Sequence, residues 1–136
     1  VQSMIDMASL GDVIMMRPFV AHDDYVDGLK NYDLYLSASR SDSTSVALLE
    51  AMAAGLIPVV SDIAGNRVWI NDGENGFLFE TGSAVSLAES LEKASASRSK
   101  FSEMAKVNRT LIEEKAIWQD NMNRLKELIM SMLAHG

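Results

Sequence analysis

An α/β fold with a Rossmann-like, doubly wound and mostly parallel sheet follows from three observations. Short apolar runs, each too brief for a helix, recur at Val13-Ile14-Met15-Met16, Leu34-Tyr35-Leu36, Pro58-Val59-Val60 and Phe77-Leu78-Phe79. A polar or glycine-containing stretch follows the second and third, and segments of helix-forming character alternate with the runs. The 136 residues amount to one domain's worth of chain, and 48% of them are apolar, enough to bury an ordinary core.

Taken in order, residues 1–10 carry Val1, Met4, Ile5 and Ala8 at helical spacing but no capping residue, so they read as the interior of a helix. Residues 12–16 form a compact β-branched and methionine run between Gly11 and Arg17-Pro18, which predicts a strand buried on both faces. Phe19 and Val20 then fall at its C-terminal end. His22-Asp23-Asp24 would cap a short helix over 25–31, with acids at its positive end. In that role His22 is a surface residue and not a catalytic base.

The central unit is the strand 34–36, a hydroxyl-rich loop over 37–44 and a helix over 45–54. No Gly or Pro interrupts that helix, strong helix formers fill it, Ser43 or Thr44 would cap its start, and Gly55 stops it. Residues 58–61 make a third strand, followed by a loop over 62–65 and a helical turn over 66–71 anchored by Trp69 and Ile70. Trp69 reads as packing, with Val68 and Ile70 beside it. Asp72-Gly73 and Asn75-Gly76 mark turns before the strand 77–79.

Helices are expected at 84–94, 100–114 and 117–133, with a serine-rich loop over 95–99. We divide the chain into residues 1–116, the sheet domain, and 117–136, a C-terminal amphipathic helix. In that helix Trp118, Met122, Leu125, Leu128 or Ile129, and Met132 recur every three to four residues, a stripe of the kind that usually joins a core.

The net charge is −7 and the basic residues are scattered, which argues against a nucleic-acid or anionic-membrane surface. There is no cysteine, so disulfides and thiolate metal sites are excluded, and the two histidines, His22 and His135, are too few for a zinc site. No apolar run is long enough to span a bilayer and no signal peptide opens the chain, so a cytoplasmic location is expected.

A strand, a loop and a helix in that order leave free N–H groups beyond the strand's C-terminal end, where open α/β sheets bind phosphorylated ligands. The N–H groups of Thr44, Ser45 and Val46 are the candidates, and the carboxylates of Asp42 and Glu50 frame them. Glu50 has two acceptor oxygens, a match for the paired hydroxyls of a ribose.

Residues 39–61 resemble the nucleotide-sugar site of retaining GT-B glycosyltransferases, the large group 1 (family 4) class. That class has an acidic pair separated by seven residues, as Asp42 and Glu50 are. Its second acid opens a segment similar to Glu50-Ala51-Met52-Ala53-Ala54-Gly55, with Pro58-Val59-Val60 shortly after. Asp72-Gly73-Glu74-Asn75-Gly76-Phe77 is similar to a further segment of the class, so the likeness covers roughly residues 12–92. It implies the donor-binding C-terminal domain of a transferase that moves a sugar from a nucleotide-sugar to an acceptor with retention.

On that resemblance Glu50 contacts the ribose and Asp42, the catalytic candidate, contacts the donor sugar near the reacting centre. Ser43, Thr44, Ser45 and Val46 meet the distal phosphate or the sugar, and Phe19 and Val20 hold the base through main-chain groups. The donor is a substrate, and neither a metal nor another cofactor is implied.

The chain departs from the class in three places. Asp42 is shorter than a Glu by one methylene, on the order of 1.5 Å of reach. Ser43 stands where a Gly often follows the first acid, and Val68 stands where a Glu is usual. The strand, Gly-rich loop and helix that bring an Arg and a Lys to the diphosphate in that class are missing, as is the N-terminal acceptor-binding domain. The resemblance therefore implies a fragment, inactive alone, whose parent could associate peripherally with the inner face of a membrane.

A crossover C-terminal helix in that class packs on the other domain, which would leave part of the apolar stripe exposed here. The rival readings are a non-catalytic nucleotide-sugar binding or interaction module, a GT-B sugar-nucleotide epimerase, and a response-regulator or flavodoxin-like domain. The last would need acids after its first strand and a Lys after its last, whereas Arg17-Pro18-Phe19 follows the first run here and no Lys follows the strand 77–79 until Lys93.

Overall fold

The computed structural model describes residues 1–134. In chain order the elements are α1 (Gln2–Met7), α2 (His22–Leu29), β1 (Leu34–Ser37), α3 (Val46–Ala54), β2 (Ile57–Ser61), α4 (Ala64–Arg67), β3 (Phe77–Phe79), α5 (Ala84–Ala96), α6 (Phe101–Lys115) and α7 (Trp118–Ala134), with a 3₁₀ turn at Arg98–Lys100. The sheet is parallel, in the order β1-β2-β3. Leu34 pairs with Ile57 and Ser37 with Val60, while Val59 pairs with Phe77 and Ser61 with Phe79.

Parallel strands need crossovers that cover both faces, and β2 shows the result: all five of its residues are buried. Ile57 and Val59 turn to one side and meet Phe77, Phe79, Ala94, Met104 and Ala105. Val60 turns to the other and meets Leu48, Met52, Ile70 and Ile112. Burying each large apolar side chain of this kind stabilises by about 1.5–3 kcal/mol.

The helices follow from local signals. α3 is apolar nearly all round and lies between α2, β2 and α6, the placement that such a helix requires. Gly55 ends it at φ +94°, a conformation open to glycine at little cost. Along α6, Met104, Ala105, Asn108 and Ile112 form one buried stripe, and one of the four is polar.

Several expectations are corrected. Residues 12–16 form no strand: Val13 and Met15 are each 76% exposed, and no strand of the sheet pairs with the segment. A strand is held by its neighbour's ladder, and an apolar run without one stays irregular. The helix expected at 25–31 begins at His22, its N-cap is Ala21 without a side-chain bond, and Asp23 and Asp24 lie inside its first turn at the positive end.

The turn expected at 66–71 is α4, two residues earlier, so Ala64 and Gly65 are helical and not loop. Val68 is exposed, whereas Trp69 and Ile70 do pack into the cluster around Val60. The loop expected at 95–99 is largely taken up by the end of α5 and the 3₁₀ turn.

The stripe on α7 joins no core. Trp118, Leu125, Leu128 and Met132 are exposed, and the bonds that tie α7 back run from Asn121 Nδ2 to Lys115 O and from Arg124 Nη1 to Glu114 O. His135 and Gly136, counted in the C-terminal segment above, lie outside the described residues. No helix among the described residues is long and apolar enough to cross a membrane.

Candidate functional site

The C-terminal ends of β1 and β2 lie on one edge of the sheet, and the loop from Ala38 to Ser45 is built there by hydroxyls. Ser37 Oγ and Ser39 Oγ are 3.2 Å apart, Ser61 Oγ at the end of β2 donates to Ser39 O at 2.5 Å, and Asn66 Nδ2 donates to Ser61 O at 2.8 Å. The loop is thus bonded to β2, and through Ser61 to α4. Gly65 makes the packing closer still: a Cβ there would lie 2.4 Å from Asp42 O and 2.6 Å from Ser43 O.

Ser45 is the N-cap of α3, and its Oγ accepts from Leu48 N at 3.3 Å. Neither Ser43 nor Thr44 caps the helix. Thr44 Oγ1 instead donates to Ser43 O at 2.8 Å. The helix therefore starts one residue later than expected, and the amides ahead of its ladder are those of Val46 and Ala47. Ser45→Ala is expected to lower stability by about 1 kcal/mol, read as a drop in urea midpoint at constant m. An unchanged midpoint would mean that the hydroxyl does not cap.

Glu50 is the single charged residue of α3 and its side chain is 22% exposed. It points to α2, where His22 Nε2 lies 3.4 Å from Oε1. His22 in turn lines a cleft of about 380 Å³ with Pro18, Phe19, Val20 and Tyr25. The structure thus brings Phe19 and Val20 into one neighbourhood with Glu50, through His22. Phe19 is 97% exposed, so its ring is free at the cleft mouth.

Asp42 is exposed and its carboxylate bonds to no side chain or amide among the described residues, so the loop carries it without fixing it. Burial, then the neighbouring Tyr35 and Glu50, push the Tyr25 phenol up.

Beyond the loop, Arg67 forks onto Asp62, Nε to Oδ1 at 2.5 Å and Nη2 to Oδ2 at 2.7 Å, and the guanidinium bond holds the Asp62 carboxyl below its usual range. Among the described residues no group of three or more His, Cys, Asp and Glu is placed to hold a metal ion.

Sequence reasoning missed three contributors. His22 facing Glu50 left no local signal. Gly65 left a weak one, a glycine just after a strand. The hydroxyls of Ser39 and Ser61 were visible as residues but not as a pair.

Fold and site together define a doubly wound parallel α/β domain with a hydroxyl-braced loop and a capped helix start at the strand ends. The chain belongs to the glycosyl transferases group 1 family, whose pattern matches residues 1–111. Over 80 residues it is 35% identical to the UDP-N-acetylglucosamine–peptide N-acetylglucosaminyltransferase GtfA subunit of Streptococcus gordonii, covering 58% of this chain and 15% of that protein.

Among solved structures, the sucrose-phosphate synthase of Thermosynechococcus elongatus superposes with a TM-score of 0.87 at 18% identity over 99% of this chain and 34% of its own. The Anabaena protein HepE, solved in complex with UDP, gives a TM-score of 0.86 at 20% identity over 96% of this chain and 35% of its own. The fold is that of the C-terminal domain of GT-B glycosyltransferases. The chain spans about one-seventh of the GtfA relative and about a third of each solved chain.

Proposed function

We propose that this chain is the donor-binding part of a glycosyltransferase that transfers a sugar from a nucleotide-sugar, with retention. The observation that carries the reading is the placement of Glu50: the only charge on a buried apolar helix, one turn in from free amides and beside the Phe19–Val20 cleft.

In this reading the cleft takes the base and Glu50 accepts from the ribose hydroxyls. The amides of Val46 and Ala47, with the Ser43 and Thr44 backbone nearby, face the distal phosphate or the sugar, where the helix dipole favours negative charge. Asp42 is the catalytic residue, accepting from a sugar hydroxyl near the reacting carbon. Its one unbraced carboxylate would be ordered by the donor itself. Catalysis is then positioning together with stabilisation of the leaving diphosphate, and no metal or cofactor is assigned to it.

The GtfA relative's name, which contains UDP-N-acetylglucosamine, and the UDP bound in HepE favour a uridine nucleotide as donor. An N-terminal acceptor-binding domain and the cationic residues for the diphosphate belong to the rest of a longer parent, cytoplasmic or at the inner face of a membrane, and the chain alone is inactive. Sugar transfer by the purified chain would refute that last point.

The test is an amide chemical-shift titration of the chain with UDP, GDP, ADP and their sugar conjugates. One nucleotide is expected to shift amides at Phe19, Val46, Ala47 and Glu50, and Glu50→Ala to weaken it by about tenfold or more, as loss of a hydrogen bond to a charged group implies. Equal binding by Glu50→Ala would remove Glu50 from the site.

A further inference from the structure

His22 belongs to two features at once. Its Nε2 lies 3.4 Å from Glu50 Oε1, and its ring lines the cleft with Phe19, Val20 and Tyr25, the Tyr25 ring centroid being 6.5 Å away. The imidazole is 67% exposed, so a ligand in the cleft can reach it, whereas Glu50 is largely covered.

The groups that face the imidazole are acidic or neutral. α3, packed against α2, contributes Glu50 alone. α2 itself adds Tyr25, with Asp23 and Asp24 next to His22 along the first turn. No Lys or Arg stands among them, so a protonated His22 is the local cation.

We propose that His22 is a positioning residue for Glu50 and that its protonation tightens nucleotide-sugar binding at this site. The inference rests on the donor-site reading above. A Glu side chain has three rotatable bonds, and holding Oε1 from one side leaves Oε2 and a remaining lone pair of Oε1 for the ribose diol. At 3.4 Å the hold is mainly one of charge and is strongest with imidazolium. The same charge at the cleft wall attracts the diphosphate.

Both effects act in one direction. Both are lost when the imidazole gives up its proton, so affinity falls as pH rises. For a partly exposed pair the expected change is about three- to fivefold.

The experiment titrates the chain with UDP-glucose, GDP-mannose and ADP-glucose in parallel at pH values from 5.5 to 8.0. Their diphosphate diesters keep the same charge across that window, so a slope belongs to the protein. The wild type is expected to bind one of them about three- to fivefold more weakly at the alkaline end. His22→Gln, which retains a donor near the Nε2 position but does not titrate, is expected to flatten the profile. His22→Ala is expected both to flatten it and to weaken binding, with urea midpoints of all variants confirming that they fold.

A flat wild-type profile, an affinity that rises with pH, or a slope that survives in His22→Gln would overturn the proposal. If Glu50→Ala abolishes binding while His22→Gln leaves the profile unchanged, only the role of His22 fails. If none of the three donors binds, or Glu50→Ala binds as the wild type does, the donor-site reading fails and this inference with it.

Discussion

Asn108→Ala should lower the stability of the chain by about 2–4 kcal/mol, a loss out of proportion to the size of the side chain. Asn108 is fully buried in the middle of the apolar stripe of α6. Its Oδ1 accepts from Asn75 Nδ2 at 2.9 Å and its Nδ2 donates to Asn75 O at 2.9 Å. Asn75 is itself committed elsewhere: Nδ2 also donates to Trp69 O, and Oδ1 accepts from Asn71 N at 2.8 Å.

Truncation at 108 would therefore strand one N–H and one carbonyl of Asn75 in a place that water does not reach, and leave a small cavity as well. Asn108→Leu fills the volume but strands the same two groups, so it should not restore the loss. The comparison separates hydrogen bonding from packing. Urea unfolding measures both, with exposed Asn123→Ala as a control expected to stay within about 0.5 kcal/mol. A loss below about 1 kcal/mol for Asn108→Ala would show that the turn at 71–76 is held by something else.

Gly65→Ala is expected to weaken donor binding about five- to a hundredfold. Two effects compete at this position. Alanine is the better helix former by about 0.8–1 kcal/mol, and Gly65 is a helical residue, so propensity alone predicts a gain. Against it, the added Cβ would lie 2.4 Å and 2.6 Å from two backbone oxygens, those of Asp42 and Ser43, neither of which can turn aside as a flexible side chain would.

The steric term wins, because relieving it means moving α4 or the loop that carries Asp42 to Ser45, at a cost of about 1–3 kcal/mol for an overpacked site. The loop is the softer of the two, since Asp42, Ser43 and Thr44 are exposed. If donor binding has to bear a cost of that size, affinity falls about five- to a hundredfold. Amide shifts across residues 39–46, donor affinity of the variant and its urea midpoint measure the three consequences. A variant more stable than wild type and with unchanged donor affinity would show that the close approach is not maintained in solution.

The two variants test contacts of different legibility. The helix around Glu50 could be read from neighbouring residues: strong helix formers, a hydroxyl just before them and Gly55 after them are signals that act within one or two turns. The strands at 34–37, 57–61 and 77–79 were also visible, because β-branched and aromatic runs between polar turns are local patterns. What local signals determined poorly was where each helix starts. Ser45, not Ser43 or Thr44, took the cap, since the choice among adjacent hydroxyls depends on which one the loop geometry aims at Leu48 N.

Residues 12–16 show the limit from the other side. Their composition is that of a buried strand, but a strand is a property of two segments, and this one has no partner among the described residues. The stripe on α7 is the same case for a helix: periodicity makes the helix and its apolar face, but a core needs a second surface.

By itself, the sequence determined the order and type of most elements, the parallel α/β class, and the loop-helix unit on which Asp42 and Glu50 sit. These depend on backbone preferences and periodicities that act over a few residues. Only the tertiary structure decided that His22 faces Glu50, that Gly65 lies against the Asp42 and Ser43 carbonyls, and that Asn108 holds Asn75 across 33 positions of chain. Each of these contacts joins residues far apart in sequence. Their geometry is set by how whole helices pack on the sheet, information that no single stretch of the chain contains.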